Sequence, residues 1–219
     1  MTESRSRAAG TREEAGVPRD PRGKRALIMK AARALFANGY ERTSMDAVAE
    51  RAGVSKATLY SYFPAKPELF VAIVEESSHR MRVQVEAGDG AQAGAVDAHL
   101  LQIGQEWVAL LTVPDNVSLF RVVIAESPYF PELAKGVLEV ARIPTRTSLS
   151  RWIAGRVAAG ELSCENPCEA AEFFFNMLHG GMVLDALLGF SEHLTPARLD
   201  AHLRLCVRAF IATYRPAVR

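Results

Sequence analysis

The chain has 219 residues, which is long enough for one or two domains with a substantial core. Its net charge is only +1, yet residues 1–66 carry 13 basic and 7 acidic side chains, whereas the remaining residues carry 13 and 18. A basic excess at one end is typical of a nucleic-acid-binding unit joined to a body of another kind. The sequence has no secretory signal, no apolar run of about eighteen residues and only three cysteines, so we expect a cytoplasmic protein with reduced thiols and no membrane contact.

Residues 1–20 are rich in Gly, Pro, Ser, Arg and Glu and nearly lack bulky apolar side chains, which predicts a disordered tail. Its arginines could follow a DNA backbone, or the tail could make no contact, since its acidic residues cancel its charge. A helix is predicted over 22–40, where apolar side chains form one stripe and Gly39 provides the stop.

Two short helices joined by a tight turn are predicted over 43–66. Thr43 or Ser44 caps the first helix, Gly53 ends it in the left-handed conformation that glycine tolerates, and Ser55 caps the second. This pattern favours a helix-turn-helix whose second helix enters a DNA major groove, although a plain helical hairpin with a solvated polar face would share it. The outward residues of the second helix are Lys56, Ala57, Thr58, Tyr60, Ser61 and Tyr62.

The sequence over 22–73 resembles the DNA-binding domain of the tetracycline-repressor (TetR/AcrR-type) family. The matching segments, which keep their order and spacing, include ALFANGY at 34–40, TSMDAVA at 43–49 and AGVSKATLY at 52–60. The resemblance implies an all-α fold. An N-terminal three-helix helix-turn-helix domain at 21–66 would be joined by a long helix to a larger helical effector-binding and dimerisation domain at 67–219.

The same resemblance assigns roles to residues of the helix-turn-helix. Thr43 and Ser44 should contact a phosphate at a helix start, and Lys66 should reach another phosphate. Lys56 could donate to guanine, and Ala57 could touch a thymine methyl group. The complete predicted DNA-binding set is Thr43, Ser44, Ser55, Lys56, Ala57, Thr58, Tyr60, Tyr62 and Lys66.

Beyond residue 66 the pattern predicts helices and no convincing strand pair. A long helix over 66–87 should end at the glycines of 88–90, and further helices should follow at 95–112 and from Pro114. Pro144 should end or kink a helical segment that reaches about residue 142, because proline removes a backbone hydrogen bond. The cap signals Asn166-Pro167 and Thr195-Pro196 should open the last two helices, which end near Gly189 and Tyr214.

These last two helices hold more apolar side chains than one small core requires. Family resemblance places a homodimer interface there, as a four-helix bundle built from two subunits, and a two-fold interface would let two recognition helices read a palindromic operator. Ordinary packing within the chain is the alternative. The predicted interface residues are Phe173, Gly180, Gly181, Leu184, Leu188, Leu203, Cys206 and Phe210.

The middle helices of such proteins enclose a small-molecule cavity, whose filling changes the separation of the recognition helices. Few charges are expected in its walls, apart from Glu106, Arg121 and Glu126, which could equally face solvent; this favours a largely apolar effector. The alternative for each candidate is a plain core position. The candidate lining residues are Trp107, Leu111, Phe120, Ile124, Trp152, Phe174, Met177 and His179.

No arrangement of residues typical of catalysis is present. Cys164 and Cys168 form a single pair, whereas a thiolate zinc site usually needs two, so we predict no metal, no cofactor and no catalytic residue. The sequence predicts a homodimeric, sequence-specific transcriptional regulator, in the first place a repressor released from DNA by its effector. The alternatives are an activator or an effector-independent regulator, or an all-helical binding protein or enzyme without a DNA role.

Overall fold

The computed structural model describes residues 21–87 and 96–216. The predicted tail at 1–20 and the predicted helix break at 88–90 lie outside these residues. Within them the chain forms helices and no strand, so the predicted all-α class is confirmed. The α-helices are α1 (Pro21–Phe36), α2 (Met45–Ala52), α3 (Lys56–Tyr62), α4 (Lys66–Ala87), α5 (Val96–Thr112), α6 (Pro114–Glu126), α7 (Pro131–Val137), α8 (Ile143–Ala158), α9 (Pro167–Leu188) and α10 (Pro196–Tyr214).

The first three helices pack around an aromatic cluster that α4 completes. The rings of Phe36, Tyr40 and Phe70 are all buried, with centroids 5.4–5.7 Å apart. Leu119 of α6 and Leu133 of α7 belong to the same apolar core. The N-terminal helices are therefore seated directly on the larger helical body, and α6 and α7 share their core.

A second apolar core lies between α4, α5, α8, α9 and α10. Phe174 and Phe210 are completely buried there, with ring centroids 5.2 Å apart. Trp152 packs into the same core. This core makes α5 and α8–α10 one packed body, which fixes the positions of the helices that surround the cavity described below.

The helical backbone continues through Pro144, where the sequence predicted an end or a kink. A π-helical turn over Leu138–Arg142 joins α7 to α8, and the N–H of Ile143 donates to the carbonyl of Leu138. Pro144 then lies in the first turn of α8, where the missing N–H costs little. The wider turn thus accommodates the proline, and it carries residues that line the cavity.

Helix α9 contains a break at Gly180, which has φ 43° and ψ −157°. Only glycine adopts this conformation readily. Next to the break, two side chains approach the carbonyl of Met177: the Nε2 of His202 lies 3.1 Å from it, and the thiol of Cys206 donates to it across 3.5 Å. Two side chains of α10 therefore bind the backbone of α9 at its kink.

Among the described residues, no single helix is long and apolar enough to cross a membrane. The pair α5 and α6, bent by 67° at the break between them, passes the same test of length and composition. Both helices contribute buried side chains to the protein core, including Leu100, Ile103 and Leu119. In the same part of the chain, no group of three or more His, Cys, Asp or Glu side chains is placed to hold a metal ion.

Candidate DNA-binding surface and ligand cavity

Helices α2 and α3 form the predicted helix-turn-helix, and local capping explains both helix starts. The Oγ of Ser44 accepts the N–H of Ala47 at 3.1 Å, and the Oγ of Ser55 accepts the N–H of Thr58 at 3.2 Å. Gly53 ends α2 with φ 66°, in the left-handed region that favours glycine. Both serines are exposed residues at the start of their helices.

The start of α3 presents an exposed cation that is held by a carboxylate. The Nζ of Lys56 donates to Oδ2 of Asp46 at 2.6 Å, and this hydrogen bond raises the pKa of Lys56. Lys56 is therefore charged at neutral pH. Ala57 and Tyr60 are exposed beside it. To contact guanine or phosphate, Lys56 must first break its hydrogen bond to Asp46.

Thr43 and Lys66, both predicted to contact phosphates, have partners within the protein. The hydroxyl of Thr43 is buried and donates to the carbonyl of Gly39 at 2.8 Å. The Nζ of Lys66 donates to the carbonyl of Tyr40 at 3.0 Å and lies 4.3 Å from the centre of that ring, and burial lowers its pKa. Their roles in DNA contact stay predictions, because each group would first have to leave these partners.

The remaining predicted residues differ in exposure: Thr58 and Tyr62 are half-buried, and the hydroxyl of Thr58 shares a 2.9 Å hydrogen bond with Ser55. The predicted set leaves out several exposed cations of the same domain, including Arg25 and Arg42. The guanidinium of Arg25 lies 5.5 Å from the centre of the Phe63 ring. Arg42 donates to the carbonyl of Asn38. In the sequence, Arg25 lies off the apolar stripe of α1 and Arg42 follows that helix, which is the only pattern that distinguishes them.

A cavity with two adjoining lobes lies between α4, α5, α6, the π-helical turn and α9. We call the lobe next to α4 the inner lobe; it has a volume of about 60 Å³ and includes Ser77, Leu110 and Asn116 in its wall. The outer lobe has a volume of about 280 Å³ and reaches α8 and α9. The larger lobe approaches the lower end of typical ligand pockets, roughly 300–1,000 Å³. Both lobes are lined by Trp107, Leu111, Phe120, Val137 and Ala141.

Four of the eight predicted lining residues meet at this cavity. Trp107, Leu111 and Phe120 line both lobes, and His179 lines the outer lobe, 5.6 Å from the Trp107 ring centre. The other four do not line it. Trp152 and Phe174 are buried in the second core, Met177 packs against that core, and Ile124 is 60% exposed on the outside of α6.

The outer lobe contains charges that the sequence argument missed. Arg142 donates from Nη2 to Oε1 of Glu172 at 3.1 Å, and Arg146 donates from Nη1 to Oε2 at 2.8 Å. Burial and the neighbouring Arg142 both lower the pKa of His179, so its ring is neutral at pH 7. The spacing of the two arginines, one helical turn apart, was visible in the sequence, but Glu172 meets them only through the fold.

The expected charges Glu106, Arg121 and Glu126 do not line either lobe. Glu106 lies at a neighbouring polar cleft. Arg121 donates to the carbonyls of Leu187 and Ala186 at the end of α9, at 2.7 and 3.0 Å. It therefore ties α6 to the end of α9 from outside the cavity.

A hydrogen-bonded bridge joins the inner lobe to α1. Arg33 of α1 donates from Nη1 to Oδ1 of Asn116 at 2.8 Å and from Nη2 to Oγ of Ser77 at 2.7 Å. Asn116 in turn donates to the carbonyl of Leu110 at 2.7 Å. Ser77, Asn116 and Leu110 all line the inner lobe, so the wall of the cavity is bonded directly to the N-terminal helices.

The predicted dimer residues fall into two groups. Leu203, Cys206 and Phe210 are buried within the chain, so we remove them from the surface that a second copy could contact. An exposed group remains on α9, where Leu184 is 56% and Leu188 62% exposed. It consists of Phe173, Gly180, Gly181, Leu184 and Leu188.

A capped helix-turn-helix with an exposed polar helix, seated on a helical body that contains a cavity, defines a DNA-binding regulator with a second, larger domain. The family model for bacterial regulatory proteins of the tetR family matches residues 28–73. The model described as the C-terminal domain of AefR-like transcriptional repressors matches residues 98–216, more than half of the chain. The chain belongs to the TetR family, as its sequence motifs predicted.

Relatives and solved structures agree with this assignment. The chain is 40% identical over 68 residues to the HTH-type transcriptional activator FasR of Mycolicibacterium smegmatis, and 31% identical over 138 residues to an uncharacterized HTH-type transcriptional regulator of Mycobacterium bovis. These matches cover 31% and 63% of this chain and span only 31% and 64% of the relatives. Both relatives are named as HTH-type transcriptional regulators or activators.

Two solved structures cover nearly the whole described fold. A chain from Mesorhizobium loti MAFF303099, assigned to the TetR family, has a TM-score of 0.77 at 26% identity, and the match covers 90% of this chain and 98% of that one. The flavonoid-responsive regulator FrrA has a TM-score of 0.71 at 29% identity, with 89% and 98% covered.

Proposed function

We propose that this TetR-family regulator acts as a homodimer on a palindromic operator and that a small molecule in the two-lobed cavity lowers its affinity for DNA. The observation that carries the proposal is the Arg33 bridge. Through it, two residues of the cavity wall are bonded to α1, which packs against the helix-turn-helix. We place its action in the cytoplasm, where its DNA target would lie.

The bridge supports coupling because its two ends sit on different helices. Ser77 is on α4 and Asn116 is on α6, and one guanidinium binds both. A ligand that separates α4 from α6 must therefore stretch or break one of these bonds, or move α1 with them. Such a ligand prefers a different position of the N-terminal helices from the one that DNA prefers, and the coupling is reciprocal, typically about 1–3 kcal/mol.

The apolar surface of α9 supports the dimer. Leu184 and Leu188 lie one helical turn apart and are more than half exposed. Contiguous exposed apolar side chains commonly mark an association site. A two-fold contact across this surface would hold two α3 helices at a fixed spacing, as recognition of a palindrome requires.

We propose repression in preference to activation. The family model that covers more than half of the chain, over residues 98–216, is described as the C-terminal domain of a transcriptional repressor. FasR is named an activator, but its similarity extends over only 68 residues. FrrA is described as flavonoid-responsive, which supports a small-molecule response for this chain as well.

The first experiment is a fluorescence-anisotropy titration of the full chain against DNA from its own upstream region, across a salt series. We expect tight, steeply salt-dependent binding with two protomers or a multiple per site. Lys56→Ala should weaken it, whereas Lys135→Ala, on the exposed face of α7, should not. Weak binding that does not depend on the DNA sequence would contradict recognition of a specific operator. If no compound in a ligand screen releases the protein from DNA, the regulator is effector-independent.

Light scattering of the same protein tests the dimer. Leu184→Glu should shift the mass to that of one chain, because a carboxylate would be buried in the interface. Val83→Glu, which places the same charge at an exposed apolar position of α4, is the matched control. A wild-type protein with the mass of one chain would refute the dimer directly.

A further inference from the structure

Two buried hydrogen-bond donors of the outer lobe have no acceptor among the described residues. They are the indole Nε1–H of Trp107 and the Nε–H of Arg146, and both side chains line this lobe. Buried donors in folded proteins are nearly always paired, and leaving one unpaired costs free energy. Both nitrogens are shielded from the open space of the lobe, so an acceptor oxygen of a ligand pairs with them when these side chains turn toward it.

The charged side chains of the same wall indicate the charge that the ligand should carry. Arg142 and Arg146 share one carboxylate, that of Glu172, and His179 is neutral. The charged side chains in the wall are therefore two cations and one anion. A ligand anion would balance the excess, and a guanidinium binds a carboxylate through parallel hydrogen bonds.

The rest of the lobe is suited to a flat apolar body. The rings of Trp107 and Phe175 lie 4.5 Å apart, and Phe120 and His179 contribute further aromatic walls. Leu111, Val137 and Leu138 add aliphatic surface. Aromatic side chains prefer stacked or edge contacts with other rings, so such walls select a planar ring system.

We propose that the outer lobe binds an aromatic carboxylic acid, with its carboxylate held by Arg146 and the indole N–H of Trp107 and its rings packed against the aromatic wall. This inference rests on the proposed function, in which the cavity is the effector site. Glu172 already binds the Nη atoms of both arginines, so its carboxylate and that of the ligand compete for the same positive charge.

The test is isothermal titration calorimetry of the full chain with β-naphthoate and with its neutral analogue β-naphthamide. We expect the acid to bind roughly tenfold or more tightly than the amide, since a charged hydrogen-bonded pair replaces a neutral one. Arg146→Met should remove this preference while retaining the affinity for the amide. Arg151→Met, an exposed arginine on the same helix, should leave both affinities unchanged. Equal affinities of acid and amide for the wild-type protein would overturn the proposal.

Glu172→Gln gives a result of opposite sign, which a purely structural role would not produce. It removes the competing carboxylate at nearly constant volume, so β-naphthoate should bind several-fold more tightly while β-naphthamide is unaffected. Weaker binding of the acid to this variant would refute the competition. Trp107→Phe keeps an aromatic wall and removes the N–H, and should weaken the binding of both probes.

Anisotropy with operator DNA separates this inference from the proposed function. Specific DNA binding by a protein that binds no β-naphthoate would reject the ligand class alone. Binding of β-naphthoate by Arg146 and Trp107 with no change in DNA affinity would establish the ligand class and reject release by this ligand.

Discussion

Replacing Arg33 should weaken both the fold and the communication between the cavity and DNA. Arg33→Met keeps the apolar stem and removes the guanidinium, which donates at 2.8 Å to Asn116 and at 2.7 Å to Ser77. Ser77 keeps a hydrogen bond, because its hydroxyl also donates to the carbonyl of Ile73. The carbonyl oxygen of Asn116 loses the donor that the structure gives it.

The magnitude follows from these contacts. Hydrogen bonds to a charged group contribute roughly 1.5–3 kcal/mol, and the half-buried position of Arg33 places the loss in the lower part of that range. For a chain of this size, each kcal/mol lowers Tm by roughly 2–4 °C. We therefore expect Arg33→Met to unfold about 3–8 °C below wild type. Scanning calorimetry measures this shift, with the exposed Arg80→Met on α4 as control.

The communication is measured as the ratio of DNA dissociation constants with and without saturating β-naphthoate. In the wild type, a coupling of about 1–3 kcal/mol gives a ratio of roughly 5–150. Arg33→Met should bring this ratio close to one, and Asn116→Ala should do the same. The double variant should lose less stability than the sum of the two single losses, because both substitutions remove the same Arg33–Asn116 hydrogen bond. A strictly additive cycle, or a full ratio in Arg33→Met, would refute the bridge.

Three further outcomes are expected. Gly180→Ala should destabilise the chain by roughly 1–3 kcal/mol in thermal unfolding, because φ 43° with ψ −157° strains any side chain, whereas Gly181→Ala, with open space around its Cβ, should not. Asp46→Asn should tighten DNA binding and steepen its salt dependence, since it frees Lys56; unchanged anisotropy titrations would contradict this. Burial raises the pKa of Tyr40 to about 12. The unfolding free energy should therefore fall between pH 10 and about 12 by up to roughly 1.4 kcal/mol per pH unit. Tyr40→Phe should lack this part of the decrease.

The helix starts were predictable because their signals act over a few residues. Ser44, Ser55, Asn166 and Thr195 each accept a backbone N–H two or three positions ahead, as the sequence pattern indicates. The helix-turn-helix depends on two of these caps and on Gly53, so it too could be recognised without a structure.

Other features depend on distant parts of the chain and escaped prediction. Glu172 is 30 residues from Arg142, so their ion pair requires α8 and α9 to be packed side by side. Lys66 is charged and close to the helix-turn-helix, but its direction is set by the carbonyl of Tyr40, 26 residues earlier. Proline disrupts a regular α-helix, as the prediction at Pro144 assumed, but a π-helical turn before it accommodates the proline and the helix continues.

Helix α6 contacts three parts of the molecule: the N-terminal helices, the cavity and the end of α9 beside the proposed dimer surface. Asn116 binds Arg33 of α1, Phe120 lines both lobes of the cavity, and Arg121 binds the carbonyls of Ala186 and Leu187 beside the exposed leucines of α9. These groups lie within two turns of one rigid helix, so α6 cannot move at one of them and stay fixed at the others. Displacement of Phe120 by a ligand would therefore reach the DNA-binding helices and the proposed dimer surface together, and the spacing of the two α3 helices in a dimer depends on both.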